Sequence, residues 1–205
     1  LLIISDPGDK GQDLYSEAEE QVIANYVNAG GALLVAGESD YSSDGNNTEL
    51  NSILSKITGS SIRVHSDGTY DDPDIASVGP WNVMWHSFPG VDSTGIGVNV
   101  DLVVGFSGAS IYGVNGTGTA IPLTTGNGVT VTVVGDDDTY QNDGDAAADH
   151  FVYTGTGVLI PMAAVQELPG GGRLAVWGDS DESFSDSYTY VPGDGYQNEI
   201  YNMET

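Results

Sequence analysis

The chain has 205 residues, enough for one sizeable domain or two small ones. Four Lys plus Arg stand against 30 Asp plus Glu, a formal charge of −26, so nucleic acid and anionic membranes are poor partners. Cys is absent, which removes disulfides, thiolate catalysis and cysteine-based metal sites.

Leu1 to Ser5 reads as a buried strand, followed by a polar loop over residues 6–15. Ser16 is a suitable N-cap, and Glu19 three residues later completes a capping box. The spacing of Val22, Ile23, Tyr26 and Val27 predicts one apolar helix face, and Gly30 suits the left-handed position after the helix. Leu33 to Val35 forms a short apolar strand that leaves through Glu38, Ser39 and Asp40. Strand, helix and strand with short connections predict a parallel pair joined by a right-handed crossover.

A second helix is expected from Thr48, with Leu50, Ile53, Leu54 and Ile57 as its apolar face and Gly59 as its stop. Ile62 to Val64 is a brief strand. Residues 65–165 form a β-rich, irregular middle section, with strands expected around 98–104, 109–112, 129–134, 151–153 and 158–165. Arg173 to Trp177 repeats the buried parallel type and leaves through Asp179, Ser180 and Asp181. A last helix is expected from Gln197. No apolar run is long enough to cross a bilayer, so direct membrane insertion is not expected. The chain opens inside a strand without an initiator Met, so it is expected to be a piece of a longer protein. One domain is read over 1–205, truncated at both ends, with the middle section inside it.

Three strand exits are acidic. In an open parallel sheet they meet on one rim, which would hold Asp6, Glu38, Asp40, Asp179 and Asp181. Asp40, Ser42 and Asp44 follow an EF-type spacing, but Asn51 stands at the twelfth position, with Glu49 as a nearby substitute. The competing reading is an Asx-rich turn. Asp136, Asp137, Asp138, Asp143 and Asp145 form the densest carboxylate cluster, whose mutual repulsion Ca2+ would relieve. The competing reading there is a solvated, salt-adapted loop. Ser39 at a strand-to-helix turn could serve a hydrolase, but Glu38 and Asp40 would oppose an oxyanion. Tyr70, Trp81, Trp85 and Phe88 could stack on a sugar or anchor a loop. Asn46 and Asn115 head glycosylation sequons.

Leu1-Leu2-Ile3-Ile4-Ser5-Asp6-Pro7, the segment Glu17 to Gly37, His86 to Val91, Gly170 to Asp181 and Asn198-Glu199 together resemble the class I glutamine amidotransferase-like superfamily. The resemblance is to its non-catalytic branch, the gliding-motility and intraflagellar-transport type domains of surface proteins. It implies an α/β, flavodoxin-like, mostly parallel sheet flanked by helices, with the β-rich section as an insertion. It also implies a nucleophilic Cys after the strand ending at Gly37, where this chain has Glu38-Ser39-Asp40. Glutaminase chemistry is therefore not expected, and no catalytic residue is assigned. The resulting expectation is a non-catalytic, calcium-stabilised module of a halophilic or archaeal glycoprotein, secreted or at the cell surface. Its partners would be other protein subunits or domains, with carbohydrate as a further possibility. The alternatives are a hydrolase, using Ser39 or a metal held by the strand-end acids, and a carbohydrate-binding module.

Overall fold

The computed structural model describes residues 1–5, 14–39, 47–70, 82–87, 102–106, 108–135, 139–142, 152–153, 159–179, 187–191 and 195–199. In chain order these form β1 (Leu2–Ser5), α1 (Glu17–Asn28), β2 (Ala32–Ala36), α2 (Asn47–Lys56), β3 (Ile62–Val64), β4 (Gly68–Tyr70) and β5 (Asn82–Ser87). There follow β6 (Leu102–Phe106), β7 (Ile111–Val114), β8 (Ala120–Ile121), β9 (Val129–Gly135) and β10 (Tyr140–Asn142). The last are β11 (Pro161–Glu167), β12 (Arg173–Trp177), β13 (Ser187–Val191) and β14 (Gly195–Glu199).

Seven strands make the main sheet, in the order β1-β2-β12-β11-β9-β5-β6. β1, β2 and β12 are parallel neighbours, with Ile3 opposite Leu34 and Val35 opposite Val176. From β12 onward every pairing is antiparallel. The remaining strands form small antiparallel sheets, β3-β7-β8, β4-β10 and β13-β14.

The expected helix-flanked, flavodoxin-like parallel sheet is overturned. Among the described residues α1 and α2 are the only helices, and the fold is mostly β with mixed pairing. The physical reason lies in the connections. A parallel neighbour needs a long crossover, which α1 supplies once; antiparallel neighbours need only turns. From the middle section, β5, β6, β9 and β11 continue the same sheet that β1, β2 and β12 begin. The helix expected from Gln197 is also overturned. Gln197 lies in β14, paired with Thr189 of β13, so a cross-strand partner outweighs a weak helical pattern. Val152 and Tyr153 lie outside any strand.

α1 forms where the sequence signals it. The Ser16 hydroxyl accepts from the Glu19 amide, and the Glu19 carboxylate accepts from the Ser16 amide at 2.8 Å. Its buried face differs from the expected one. Glu20, Ala24 and Val27 turn inward, whereas Val22 is 67% exposed and Tyr26 40% exposed. The sheet takes the Ala24–Val27 stripe, and the Val22–Tyr26 stripe, one turn apart along the helix, faces away from the core.

α2 begins at Asn47, one residue before the expected cap, and buries Leu50, Ile53 and Leu54 completely. Each such side chain contributes roughly 2 kcal/mol by leaving water. With Ala24, Val27, Leu33, Val35, Leu174 and Val176 they form one core between the helices and the sheet. Glu20 of α1 and Lys56 of α2 tie the helices together at 2.7 Å. Burial opposes the charge on Glu20. Hydrogen bonds from Lys56 and Ser52, with the charge of Lys56, outweigh it and hold the carboxyl below its usual range.

Candidate functional site

The carboxyl ends of β2 and β12 meet side by side, as the acidic strand exits require. The Gly37 amide donates to the Trp177 carbonyl at 2.8 Å, and the Gly178 amide to Met162 at 2.9 Å. Glu38 and Asp179 follow these strands. Asp6, Asp40 and Asp181, the other members of the expected rim, lie outside the described residues.

The described residues at this end of the sheet are tightly bridged. Asn47, the first residue of α2, takes the Glu38 amide on its Oδ1 at 3.1 Å. Its Nδ2 donates to the carbonyls of Glu38 at 2.6 Å and His65 at 3.0 Å. A Cβ on Gly37 would stand 2.6 Å from Val64 Cγ1 and 2.8 Å from Asn47 Oδ1, so the turn has no room for a side chain. Ser39 is 3% exposed and Asp179 fully buried. A nucleophile must reach its substrate, and Ser39 is buried.

Behind the rim sits a second polar centre. Asp67 is 1% exposed. Its Oδ1 accepts from the Ser110 amide at 2.9 Å. Its Oδ2 accepts from the Ser110 hydroxyl at 2.8 Å and from Gln141 Nε2 at 2.6 Å. His65 Nδ1 lies 3.9 Å from Asp67 Oδ2, and the His65 ring meets Tyr112 edge-on at 5.2 Å. Gln141 Oε1 accepts from the Tyr153 amide at 3.3 Å. The Tyr153 hydroxyl donates to the Ile111 carbonyl at 2.6 Å and accepts from the Leu123 amide. Burial pushes the Tyr153 phenol well above its ordinary value, and the Leu123 bond only partly offsets this.

A buried carboxylate costs several kcal/mol unless its lone pairs are filled. Neutral donors supply three hydrogen bonds to Asp67, two from Ser110 and one from Gln141 of β10. The result is a clamp joining the small sheets, because Asp67 precedes β4, Ser110 precedes β7 and Gln141 lies in β10. The clamp continues to the rim: the Ala109 amide donates to Gly178 at 2.7 Å and the His65 amide to Ser110 at 2.8 Å.

None of Asp67, Ser110, Gln141, Tyr153 or Asn47 was singled out by sequence reasoning for this role. Asp67 and Ser110 are 43 residues apart, and Asp67 and Gln141 are 74 apart. The available signal was faint: Ser110 is a polar residue inside the apolar run from Ala109 to Tyr112.

The expected calcium ligands Asp40, Ser42, Asp44, Asp136, Asp137, Asp138, Asp143 and Asp145 lie outside the described residues. Glu49 is buried and accepts from the Tyr15 amide at 2.8 Å, which ties the loop before α1 to α2. Among the described residues no group of three or more His, Asp or Glu side chains could hold a metal. Asn46 and the side chains of Trp81, Trp85 and Phe88 are not described. Tyr70 is buried and stacks on Tyr140 at 5.8 Å. Asn115 is exposed, and its Oδ1 accepts from the amides of Thr117 and Thr119, each at 3.0 Å, holding the turn before β8. No helix among the described residues is long and apolar enough to cross a membrane.

Two apolar grooves lie elsewhere. One, of about 320 Å3, is at the amino ends of β2 and β12, between Leu1, Ala32, Val165, Glu167 and Arg173. The other, of about 350 Å3, runs between β1 and α1, lined by Ile3, Tyr15, Glu19, Val22 and Ile23.

No family model and no curated protein matches the chain. Among solved structures it resembles the "mmIFT52 N-terminal domain", with a TM-score of 0.52 and 18% identity, over 81% of this chain and 61% of that one. The likeness is one of fold. The chain spans less than two thirds of that domain's length. The intraflagellar-transport side of the expected resemblance thus has a structural counterpart, whereas membership of the amidotransferase-like superfamily does not. The expected extracellular, secreted, cell-surface setting is corrected by the same finding, because the likeness is to an intraflagellar transport domain. Acidic loops with sequons do not by themselves assign a compartment.

Proposed function

We propose that this chain is a non-catalytic protein-interaction module working within a larger protein assembly. The observation that carries the reading is the bridged rim. Where a reactive turn would present its nucleophile, Asn47 spans Glu38 and His65, Gly37 is packed against Val64, and Ser39 is buried. The Asp67 carboxylate next to it is buried and accepts three hydrogen bonds, two from Ser110 and one from Gln141. The fold likeness to an intraflagellar transport domain supports the same reading. Its partners are other protein subunits or neighbouring domains.

Two measurements test it. Exposure to a fluorophosphonate probe is expected to leave Ser39 unlabelled; labelling lost in Ser39→Ala would overturn the proposal. Cross-linking mass spectrometry on the chain in its native assembly is expected to return links to a second protein.

A further inference from the structure

We infer that Asn127 is a site of spontaneous modification, where the turn leading into β9 loses ammonia and becomes aspartyl or isoaspartyl, with water as co-reactant. The chain has two Asn-Gly pairs, Asn115-Gly116 and Asn127-Gly128, and all four residues are exposed. Such a pair is open to this chemistry because glycine places no side chain beside the amide nitrogen that must attack. The fold treats the two pairs differently.

Asn127 and Gly128 are the central residues of a two-residue turn, both with positive φ, +51° and +83°. Gly126 and Val129 close it, the amide of each donating to the carbonyl of the other at 2.9 Å. Among the described residues the Asn127 side chain and the Gly128 amide take part in no hydrogen bond. Asn115 is the opposite case. Its Oδ1 accepts from the Thr117 amide at 3.0 Å, the Thr117 hydroxyl at 2.7 Å and the Thr119 amide at 3.0 Å. Its backbone is held as well: its amide donates to Thr119 at 3.0 Å, and its carbonyl accepts from Gly118 at 2.9 Å.

The Gly128 amide gives its proton to base, and its nitrogen bonds to Asn127 Cγ. The Cγ–Nδ2 bond breaks, and Nδ2 takes a proton from water and leaves as ammonia. Water then opens the five-membered imide. Cleavage between Cγ and the Gly128 nitrogen gives aspartate. Cleavage between the main-chain carbonyl carbon and that nitrogen gives isoaspartate, whose backbone runs through Cβ and Cγ and is one atom longer. A carboxylate replaces an amide, and nothing is oxidised or reduced. To bring the nitrogen onto Cγ, the Asn127 turn has two backbone bonds to release. The Asn115 side chain must first leave three donors.

The product disturbs the start of β9. The Glu167 amide at the end of β11 donates to the Gly128 carbonyl at 2.9 Å, and a Cβ on Gly128 would stand 2.6 Å from the Glu167 carbonyl oxygen. A backbone one atom longer cannot keep both this contact and the two-residue turn. The isoaspartyl form therefore loosens the pairing of Val129 with Gln166.

The test is peptide mapping by mass spectrometry on the folded 205-residue chain aged at mildly alkaline pH, beside the same chain aged in urea. In the folded chain Asn127 is expected to convert about tenfold faster than Asn115 or more, and in urea the two rates should converge. Thr117→Val, which removes the hydroxyl donor to Asn115, should speed conversion at Asn115 and leave Asn127 unchanged. Hydrogen exchange at Val129 should quicken in the isoaspartyl fraction. The inference is overturned if Asn115 converts as fast as Asn127 in the folded chain, or if the difference persists in urea. It is also overturned if Asn127 stays intact in the folded chain while the unfolded chain converts.

Discussion

The two halves of the main sheet are built on different logic. β1, β2 and β12 are parallel, covered by α1 and α2, and rest on local signals: a capping box, an amphipathic period and short apolar strands. β11, β9, β5 and β6 are antiparallel and owe their positions to cross-strand partners distant in sequence. The polar clamp of Asp67, Ser110 and Gln141 joins the small sheets and reaches the main sheet through the bond from the Ala109 amide to Gly178. One chain therefore contains a region whose pieces announce themselves and a region whose pieces acquire meaning only when paired.

The sharpest way to break this arrangement is at the seam. A Cβ on Gly178 would stand 1.8 Å from the Ala109 carbonyl oxygen, so backbone would have to move. Gly178→Ala should cost more than about 4 kcal/mol in denaturant unfolding, or prevent folding outright. Asp67→Ala comes next. It leaves the Ser110 amide without its acceptor and Gln141 Nε2 with the Ser110 hydroxyl in place of the carboxylate, for an expected loss of about 2 kcal/mol. Its hydrogen-exchange signature should sharpen the contrast: β7 and β10 should lose protection while α1 keeps it. If α1 opened to the same extent, the halves would be one cooperative unit without a seam.

Smaller effects are expected on the locally encoded side. Ser16→Ala removes the cap of α1 and should cost about 1 kcal/mol. Lys56→Met removes the partner of Glu20 and should lower stability slightly near neutral pH. Its pH dependence has a definite sign. The folded Glu20 carboxyl titrates below the ordinary value of 4.5, so its stabilisation is complete above that value and is lost as pH falls through the folded one. The stability curves of parent and Lys56→Met should therefore converge on acidification below about 4. Curves that diverged there would show that Lys56 acts through something other than Glu20.

What was legible follows the same division. Ser16 with Glu19, the burial of Leu50, Ile53 and Leu54, and the parallel placement of Ile3, Leu34 and Val176 were all readable from spacing. The strand exits at Glu38 and Asp179 were readable as neighbours on one rim. Their bridging was not, because Asn47 looks like a loop residue until it is seen joining Glu38 and His65. The inward face of α1 was misplaced for a related reason. Val22 and Tyr26 are as apolar as Ile23 and Val27, and the docking angle against the sheet alone decides which stripe is buried.

By itself, then, the sequence determined where α1, α2 and the three parallel strands form, since those depend on hydrogen bonds and side-chain contacts a few residues apart. It also excluded cysteine chemistry. The tertiary structure decided that the sheet continues as antiparallel strands, that Gln197 lies in a strand, and that Asp67 is buried against Ser110 and Gln141. Pairings across tens of residues carry no periodic mark in the chain, and their energy appears only when both partners leave water together.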